Sequence, residues 1–162
     1  MGFQKVVGMT PAIGFPGQEV NPGQAIYSAF NYVSDGTAKA GEFVFAKTLE
    51  DGETAVNQAS AKGTGKPIGI VERVLIGSIN NPMKENADTY PLGLGLAIAI
   101  RGQYYMVATG EATEGQAVHC DPSNGEVTYG NAGEANDTGW VVRLPAGVKT
   151  VAEGDLIIVE KF

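Results

Sequence analysis

The 162-residue chain has a formal net charge of −7, one cysteine, 23 glycines and 8 prolines. The acidic balance leaves no basic face for nucleic acid and disfavours an anionic membrane surface, and a lone cysteine excludes an internal disulfide. The length suits one domain that folds without a metal, and no apolar run reaches the ~20 residues of a membrane-spanning helix.

The chain begins with a proline- and glycine-rich stretch, which reads "GMTPAIGFPGQEVNPGQ" at positions 8–24. Proline removes a backbone donor and fixes φ, so this stretch is unsuited to a helix or to a central strand. Its apolar side chains argue against an idle, disordered tail. We therefore predict an extended N-terminal arm over residues 1–22 and a single β domain over residues 23–162.

A recurring pattern marks the strand starts of this domain. Each start is a glycine, then Gln, Glu or Asp, then a β-favouring run. Glycine closes a turn at positive φ, and β-branched and aromatic residues suit a half-buried strand. The six starts are "GQAIY" at Gly23, "GEFVF" at Gly41, "GQYYM" at Gly102, "GQAVH" at Gly115, "GEVTY" at Gly125 and "GDLII" at Gly154.

Further strands are predicted at residues 66–78, 92–100 and 138–145, and "DPSNG" at 121–125 predicts a hairpin turn. The best helical candidate is residues 49–62, although its Gly52 and polar content fit a surface loop equally well.

Long polar loops are predicted at residues 51–67 and 80–91, with a shorter one at 130–139. The fold class that follows is mainly β: a compact β-sandwich or barrel, jelly-roll-like or β-tulip-like, with an extended N-terminal arm and long polar loops.

The sequence contains no pattern that indicates a catalytic, cofactor or metal site. "KGTGKP" at 62–67 lacks the glycine spacing and the Ser or Thr of a phosphate loop. His119 and Cys120 are neighbours on a predicted strand, so their side chains point to opposite faces and do not form a catalytic pair. The scattered carboxylates match no EF-hand spacing, although a carboxylate pair distant in sequence stays open. Trp140 is predicted to be a core or interface anchor.

Several segments, in their order along the chain, resemble the structural cement or head decoration proteins of tailed bacteriophages. The resemblance covers most of the chain, and each motif is a glycine-and-turn pattern. The segments are "PAIGFPGQ" (11–18), "AGEFVFAK" (40–47), "GKPIGIVERV" (65–74), "GQYYMVATGEATEGQAV" (102–118) and "VAEGDLIIVEKF" (151–162).

This resemblance implies a non-enzymatic protein without cofactors, made in the host bacterial cytoplasm and added to the outer surface of the expanded phage head. The implied partner is the major capsid protein, and the implied assembly is a homo-oligomer, a trimer or else a dimer. The arm is expected to lie on neighbouring capsid or sister subunits. The expected contact residues are Phe3, Pro11, Ile13, Phe15, Pro16 and Val20.

Two other functions stay open at this point. An adhesive or carbohydrate-binding β-sandwich of a phage virion would expose aromatic side chains beside polar loops. A small trimeric β enzyme would use the acidic loops as ligands, although the single histidine argues against most versions of it.

Overall fold

A computed structural model describes residues 14–74 and 88–162, and all the regular structure in these ranges is β. No helix in this part of the chain could cross a membrane. The strands are β1 (Ile26–Tyr27), β2 (Tyr32–Ser34), β3 (Phe43–Thr48), β4 (Thr54–Ser60), β5 (Gly69–Val71), β6 (Gly95–Leu96), β7 (Ile98–Val107), β8 (Ala112–Thr113), β9 (Ala117–Cys120), β10 (Val127–Gly130), β11 (Asp137–Arg143), β12 (Thr150–Val151) and β13 (Leu156–Lys161).

Most of the strands form one large mixed sheet in the order β10–β9–β11–β13–β7–β5–β3–β4–β2–β6, and β1 pairs with β7. Neighbours are antiparallel except β2 and β4, which run parallel. β8 and β12 form a separate two-stranded sheet. The sheet does not close into a barrel, so the sandwich form of the predicted β fold is the one observed.

Two apolar clusters lie on opposite faces of the strands in the middle of the large sheet. Phe43 and Phe45 belong to the larger cluster, and Val44 between them belongs to the smaller one. Alternate side chains of a strand point to opposite faces, so β3 is buried on both sides. β5 is likewise buried throughout, and this burial gives the molecule its layered, sandwich-like form.

Trp140 lies in the larger cluster with 1% of its surface exposed, so its prediction as a core anchor is confirmed. Phe43 and Tyr104 approach its ring edge-on, each with a centroid separation of 6.3 Å. Edge-to-face contacts of this kind place the positive edge of one ring on the negative face of another.

Five of the six predicted glycines lie two or three positions before the first residue of a strand, and all six have positive φ. The exception in position is Gly102, which lies inside β7 with a φ of 131°. A side chain there would meet the Cα of Ala25 at 3.2 Å. Glycine at this position therefore lets β7 adopt a conformation that L-residues rarely take and lets another backbone segment approach it closely.

The prediction of a helix or surface loop at residues 49–62 is wrong, because this segment contains β4. β4 pairs with β3 on one side and with β2 on the other. The hydrogen bonds to these two strands hold a mostly polar sequence in the sheet. The sequence of β4 alone does not reveal them. The predicted loop at 51–67 is therefore interrupted by a strand.

The strand predicted at 92–100 is observed as β6 and the start of β7, and the strand predicted at 138–145 corresponds to β11. The hairpin about 121–125 is confirmed, since β9 and β10 pair with Cys120 opposite Val127. Of the strand predicted at 66–78, the structure describes residues 66–74, in which Gly69–Val71 form β5. Of the loop predicted at 80–91, it describes residues 88–91. Residues 75–87 lie outside the described ranges.

Candidate functional site

The candidate site is the arm base, defined as residues 14–22, together with the surface that holds it. This segment pairs with β7 like a short antiparallel strand, with an isolated bridge between Glu19 and Tyr104. Gly17 N donates to Tyr105 O at 2.8 Å, Tyr105 N to Gln18 O at 3.0 Å and Val20 N to Gln103 O at 2.9 Å. These main-chain bonds fix the register of the arm base on its own domain.

Arg73 holds the arm base from the other side. Its backbone N donates to Gly17 O and its Nε to Pro16 O, each at 2.8 Å. Its Nη1 also pairs with Asp88 Oδ1 at 2.9 Å. One arginine thus satisfies two arm carbonyls and ties them to the segment that follows residue 87.

Gly17 packs closely against backbone atoms of the domain. A Cβ built on it would lie 2.6 Å from Gly41 N and 3.0 Å from Val71 O, and the φ of Gly17 is 80°. Gly41, whose φ is 78°, meets the arm in the same way from the β3 side. The "GFPGQ" stretch therefore needs its second glycine both for conformation and for space.

Glu19 organises the turn that leads from the arm base into β1. Its carboxylate accepts hydrogen bonds from Gly23 N at 3.1 Å, Gln24 N at 2.9 Å and Ala25 N at 2.8 Å. Three backbone donors that would otherwise face water are satisfied by one side chain. The turn is consequently fixed without regular secondary structure.

A chain of polar side chains runs from the arm base across the large sheet. Asn21 Nδ2 donates to Gln103 Oε1, and Gln103 Nε2 donates to Glu160 Oε2 at 2.9 Å. Arg143 donates through Nε to Glu160 and through Nη1 to Glu114 Oε1. Burial acts to raise the pKa of Glu160, but the bonds from Gln103 and Arg143 outweigh it and lower this pKa.

The predicted contact residues differ in what the structure says of them. Phe3, Pro11 and Ile13 lie outside the described ranges. Pro16 and Val20 are half-buried at the arm base, whereas Phe15 is 59% exposed. Gly14 packs on the ring of Tyr105, since a Cβ there would lie 2.4 Å from it. Whether these residues contact a capsid stays a prediction.

Sequence reasoning missed several exposed apolar side chains outside the arm. Phe30, Leu92 and Phe162 have about 70% of their surface exposed, and Ile26 has 51% exposed. The run "AIYSAF" at 25–30, in which apolar residues do not alternate with polar ones, is the signal that could have revealed part of this surface.

An open cleft of about 340 Å³ lies beside the arm base. Pro16, Met106, Val107 and Val127 contribute apolar walls, and Glu42 lies among its polar residues. The cleft is large enough for an apolar side chain of a partner.

Three titratable side chains away from the arm base, His119, Cys120 and Asp137, lie in defined structural environments. His119 is buried and its Nε2 lies 3.0 Å from Asn131 O, while Cys120 on the opposite face belongs to the larger core cluster. Burial raises the pKa of the Cys120 thiol to about 12. Backbone bonds from Gly133 and Gly139 lower the pKa of Asp137. Within residues 14–74 and 88–162, no cluster of three or more His, Cys, Asp or Glu side chains could hold a metal.

The fold and this site together define an all-β protein whose distinctive features are contact surfaces and a fixed arm base. The family model described as "Structural cement protein (E217 gp24/Pam3 gp6)" matches residues 3–161. The chain belongs to this family of phage structural cement proteins. The resemblance inferred from the sequence is thus confirmed over nearly the whole chain, and with it the capsid-stabilising role at the level of the family.

Comparison with solved structures supports the same fold. Five chains match. One of them, a chain in the capsid of Myoviridae phage XM1, has a TM-score of 0.60 and is 14% identical, and the match covers 99% of this chain and 97% of that one. At this identity the likeness concerns the fold. Among curated proteins, none matches the chain.

Proposed function

We propose that this protein decorates the outer surface of an expanded phage head and holds neighbouring capsomers of the major capsid protein together. The observation that carries the proposal is the family match over residues 3–161. In this proposal the role is non-enzymatic, and synthesis takes place in the host cytoplasm. The non-enzymatic role is supported by the carboxylates of Glu19 and Asp137, which accept hydrogen bonds from backbone amides of turns and so have a structural use.

The arm provides the first capsid contact in this proposal. Phe3, Pro11, Ile13, Phe15, Pro16 and Val20 are its contact residues, as the sequence predicts. Because the arm base is bonded to β7 and Arg73, the residues that precede Gly14 start from a fixed point on the domain. The prolines limit the conformations of the free arm, which lowers the ordering cost of docking. Each large apolar side chain buried on the capsid contributes roughly 1.5–3 kcal/mol.

A homo-oligomer, most simply a trimer, completes the proposal, with a dimer as the alternative. One subunit with a short arm binds weakly by itself. An oligomer that reaches several capsomers gains avidity, because the later contacts form within an already bound assembly.

The test mixes purified protein with expanded empty capsids of the same phage and measures occupancy by electron microscopy and co-sedimentation. Full-length protein should saturate the expanded shell and raise the temperature at which it ruptures. A variant that lacks residues 1–13 keeps the arm base, so it should stay folded by circular dichroism but bind at least ~10-fold more weakly, as expected when several buried side chains are lost.

Two outcomes would contradict these statements separately. Bare capsids at saturating concentrations of full-length protein would refute decoration itself. Equal saturation by the full-length and truncated proteins would instead refute the arm contact and leave decoration standing.

A further inference from the structure

The cations of this acidic protein are unevenly distributed. Within the described ranges, Lys39, Lys47, Arg73 and Arg143 each lie within 4.0 Å of a carboxylate oxygen. Lys62, Lys66, Arg101, Lys149 and Lys161 make no such pair among the described residues. Three of these last five, Lys66, Arg101 and Lys161, gather at one place.

That place is the end of β13, where it pairs with β7 at Gly102. Lys161 pairs in register with Gly102, so Arg101 is one residue from the pair. The Lys161 ammonium donates to Thr138 O at 2.9 Å. Burial, followed by the charges of Lys66 and Arg101, lowers the pKa of Lys161, and the charge of the Asp137 carboxylate acts against them. Lys66 lines a cleft together with Asp137, which precedes the Thr138 that binds the Lys161 ammonium, so the three cations lie around one acidic side chain.

Exposed apolar side chains flank the same cations. Ile26 of β1 is the register partner of Arg101 and is 51% exposed. Phe162 directly follows Lys161 at the end of β13, and it is 72% exposed. We call Ile26, Lys66, Arg101, Lys161 and Phe162 the Arg101 surface. Exposed apolar groups gathered beside charged groups are typical of a protein interaction site.

We propose that the Arg101 surface docks an acidic segment of the major capsid protein, with an apolar side chain of that segment packed on Ile26 and Phe162. The inference rests on the proposed decoration function and adds a second contact that is separate from the arm. Charge complementarity selects this occupant. The chain carries a net charge of −7, so an acidic partner is repelled by most of the molecule and attracted where unpaired cations gather.

Charge reversal tests the proposal. The variant Lys66→Glu/Arg101→Glu removes two cations of the surface and leaves Lys161 on its structural bond. The control variant Lys62→Glu/Lys149→Glu changes the net charge equally, at exposed lysines elsewhere. Binding to expanded empty capsids is measured over a range of salt concentrations, and thermal melts verify folding. The surface variant should bind at least 10-fold more weakly and lose most of the salt dependence, whereas the control should stay within 2-fold of the wild type.

A second variant tests the apolar component. Phe162→Ser should weaken binding several-fold without changing the slope of affinity against salt, because it removes packing and no charge. Its exposed position makes unfolding an implausible cause of the loss, and the same melts verify this.

Several outcomes would overturn the proposal. Equal losses in the surface and control variants would mean that only net charge matters, and full binding by the surface variant would exclude the contact. If the surface variant lost self-association in sedimentation velocity while it kept capsid binding, the occupant would be a second copy of the chain. Failure of the wild type to bind any capsid would refute the decoration function and this inference with it; the first three results would leave decoration intact.

Discussion

Tyr104 and Tyr105 are neighbours in β7 that have opposite surroundings. Tyr105 lies under Gly14 of the arm base, while Tyr104 is fully buried against Trp140. Strand alternation predicts that they face opposite ways. Within the described part of the chain, the buried Tyr104 hydroxyl has no hydrogen-bond partner. Strand alternation alone does not predict this. The Tyr27 side chain lies next to this hydroxyl, and burial, followed by this neighbour, raises the pKa of Tyr104.

We expect Tyr104→Phe to leave the free energy of unfolding unchanged or raise it by about 1 kcal/mol, because it removes a buried polar group that has no partner. Tyr90→Phe is the matched control. The Tyr90 hydroxyl donates to Glu72 O and accepts from Val74 N, each at 2.9 Å, so its removal should cost about 1–3 kcal/mol. Urea unfolding measures both. A loss at Tyr104 as large as that at Tyr90 would mean that its hydroxyl is bonded in solution.

Individual elements show how far sequence patterns reach. Five glycine-led strand starts and the β9–β10 hairpin are predictable because their signals are local: a turn residue followed by β-favouring side chains. The polar β4 is not predictable in this way, since the partners that hold it, β2 and β3, are distant in sequence. The arm base is predictable as irregular chain, but its docking on β7 depends on contacts some 85 residues away.

The arm base gives a prediction at this scale. Gly17→Ala should lower the free energy of unfolding by about 1–3 kcal/mol more than Gly23→Ala, because its Cβ would overlap the Gly41 backbone. Gly23 has the same kind of φ, 89°, but nothing within 4 Å of its Cβ position, so it isolates conformational strain. Urea unfolding gives the difference. Hydrogen exchange at Tyr105 N, which should speed up only in Gly17→Ala, detects release of the arm base. Indistinguishable variants would contradict the packing argument.

For the molecule as a whole, composition and turn chemistry predict an all-β sandwich or barrel, and the structure selects the open sandwich form. Strand order was beyond reach, because single strands of similar composition do not specify their neighbours. The candidate site was reachable only in part: the arm stretch stands out by its prolines, whereas the Arg101 surface joins residues from β1, β7, β13 and the loop at Lys66.

The acid stability of the whole molecule follows from its carboxylates. Asp137 and Glu160 have pKa values below their ordinary 3.8 and 4.5 in the folded protein. Their stabilisation is therefore complete above these ordinary values and is lost as the pH falls through the lower folded values. Asp137→Asn keeps only one of the two oxygen acceptors that bind Gly133 N and Gly139 N. We therefore expect it to lower the free energy of unfolding by about 1 kcal/mol at pH 7 and by progressively less below about pH 4.

Urea unfolding between pH 7 and pH 2.5 checks this behaviour, with Glu153→Gln as the control. Glu153 is exposed and its side chain has no hydrogen bond among the described residues, so its replacement should leave the pH profile unchanged. A constant difference between Asp137→Asn and the wild type at every pH would show that the carboxylate charge does not contribute.

The antiparallel pairing of the arm base with β7 has a mechanical consequence. A pull on Gly14 along the strand direction loads the three backbone bonds to Gln103 and Tyr105 at the same time, in shear, and Arg73 adds two more bonds to the same segment. A pull perpendicular to the sheet would open them one after another. If the arm is attached to a neighbouring capsomer as proposed, it would thus resist sliding of the shell along this axis far better than lifting away from it.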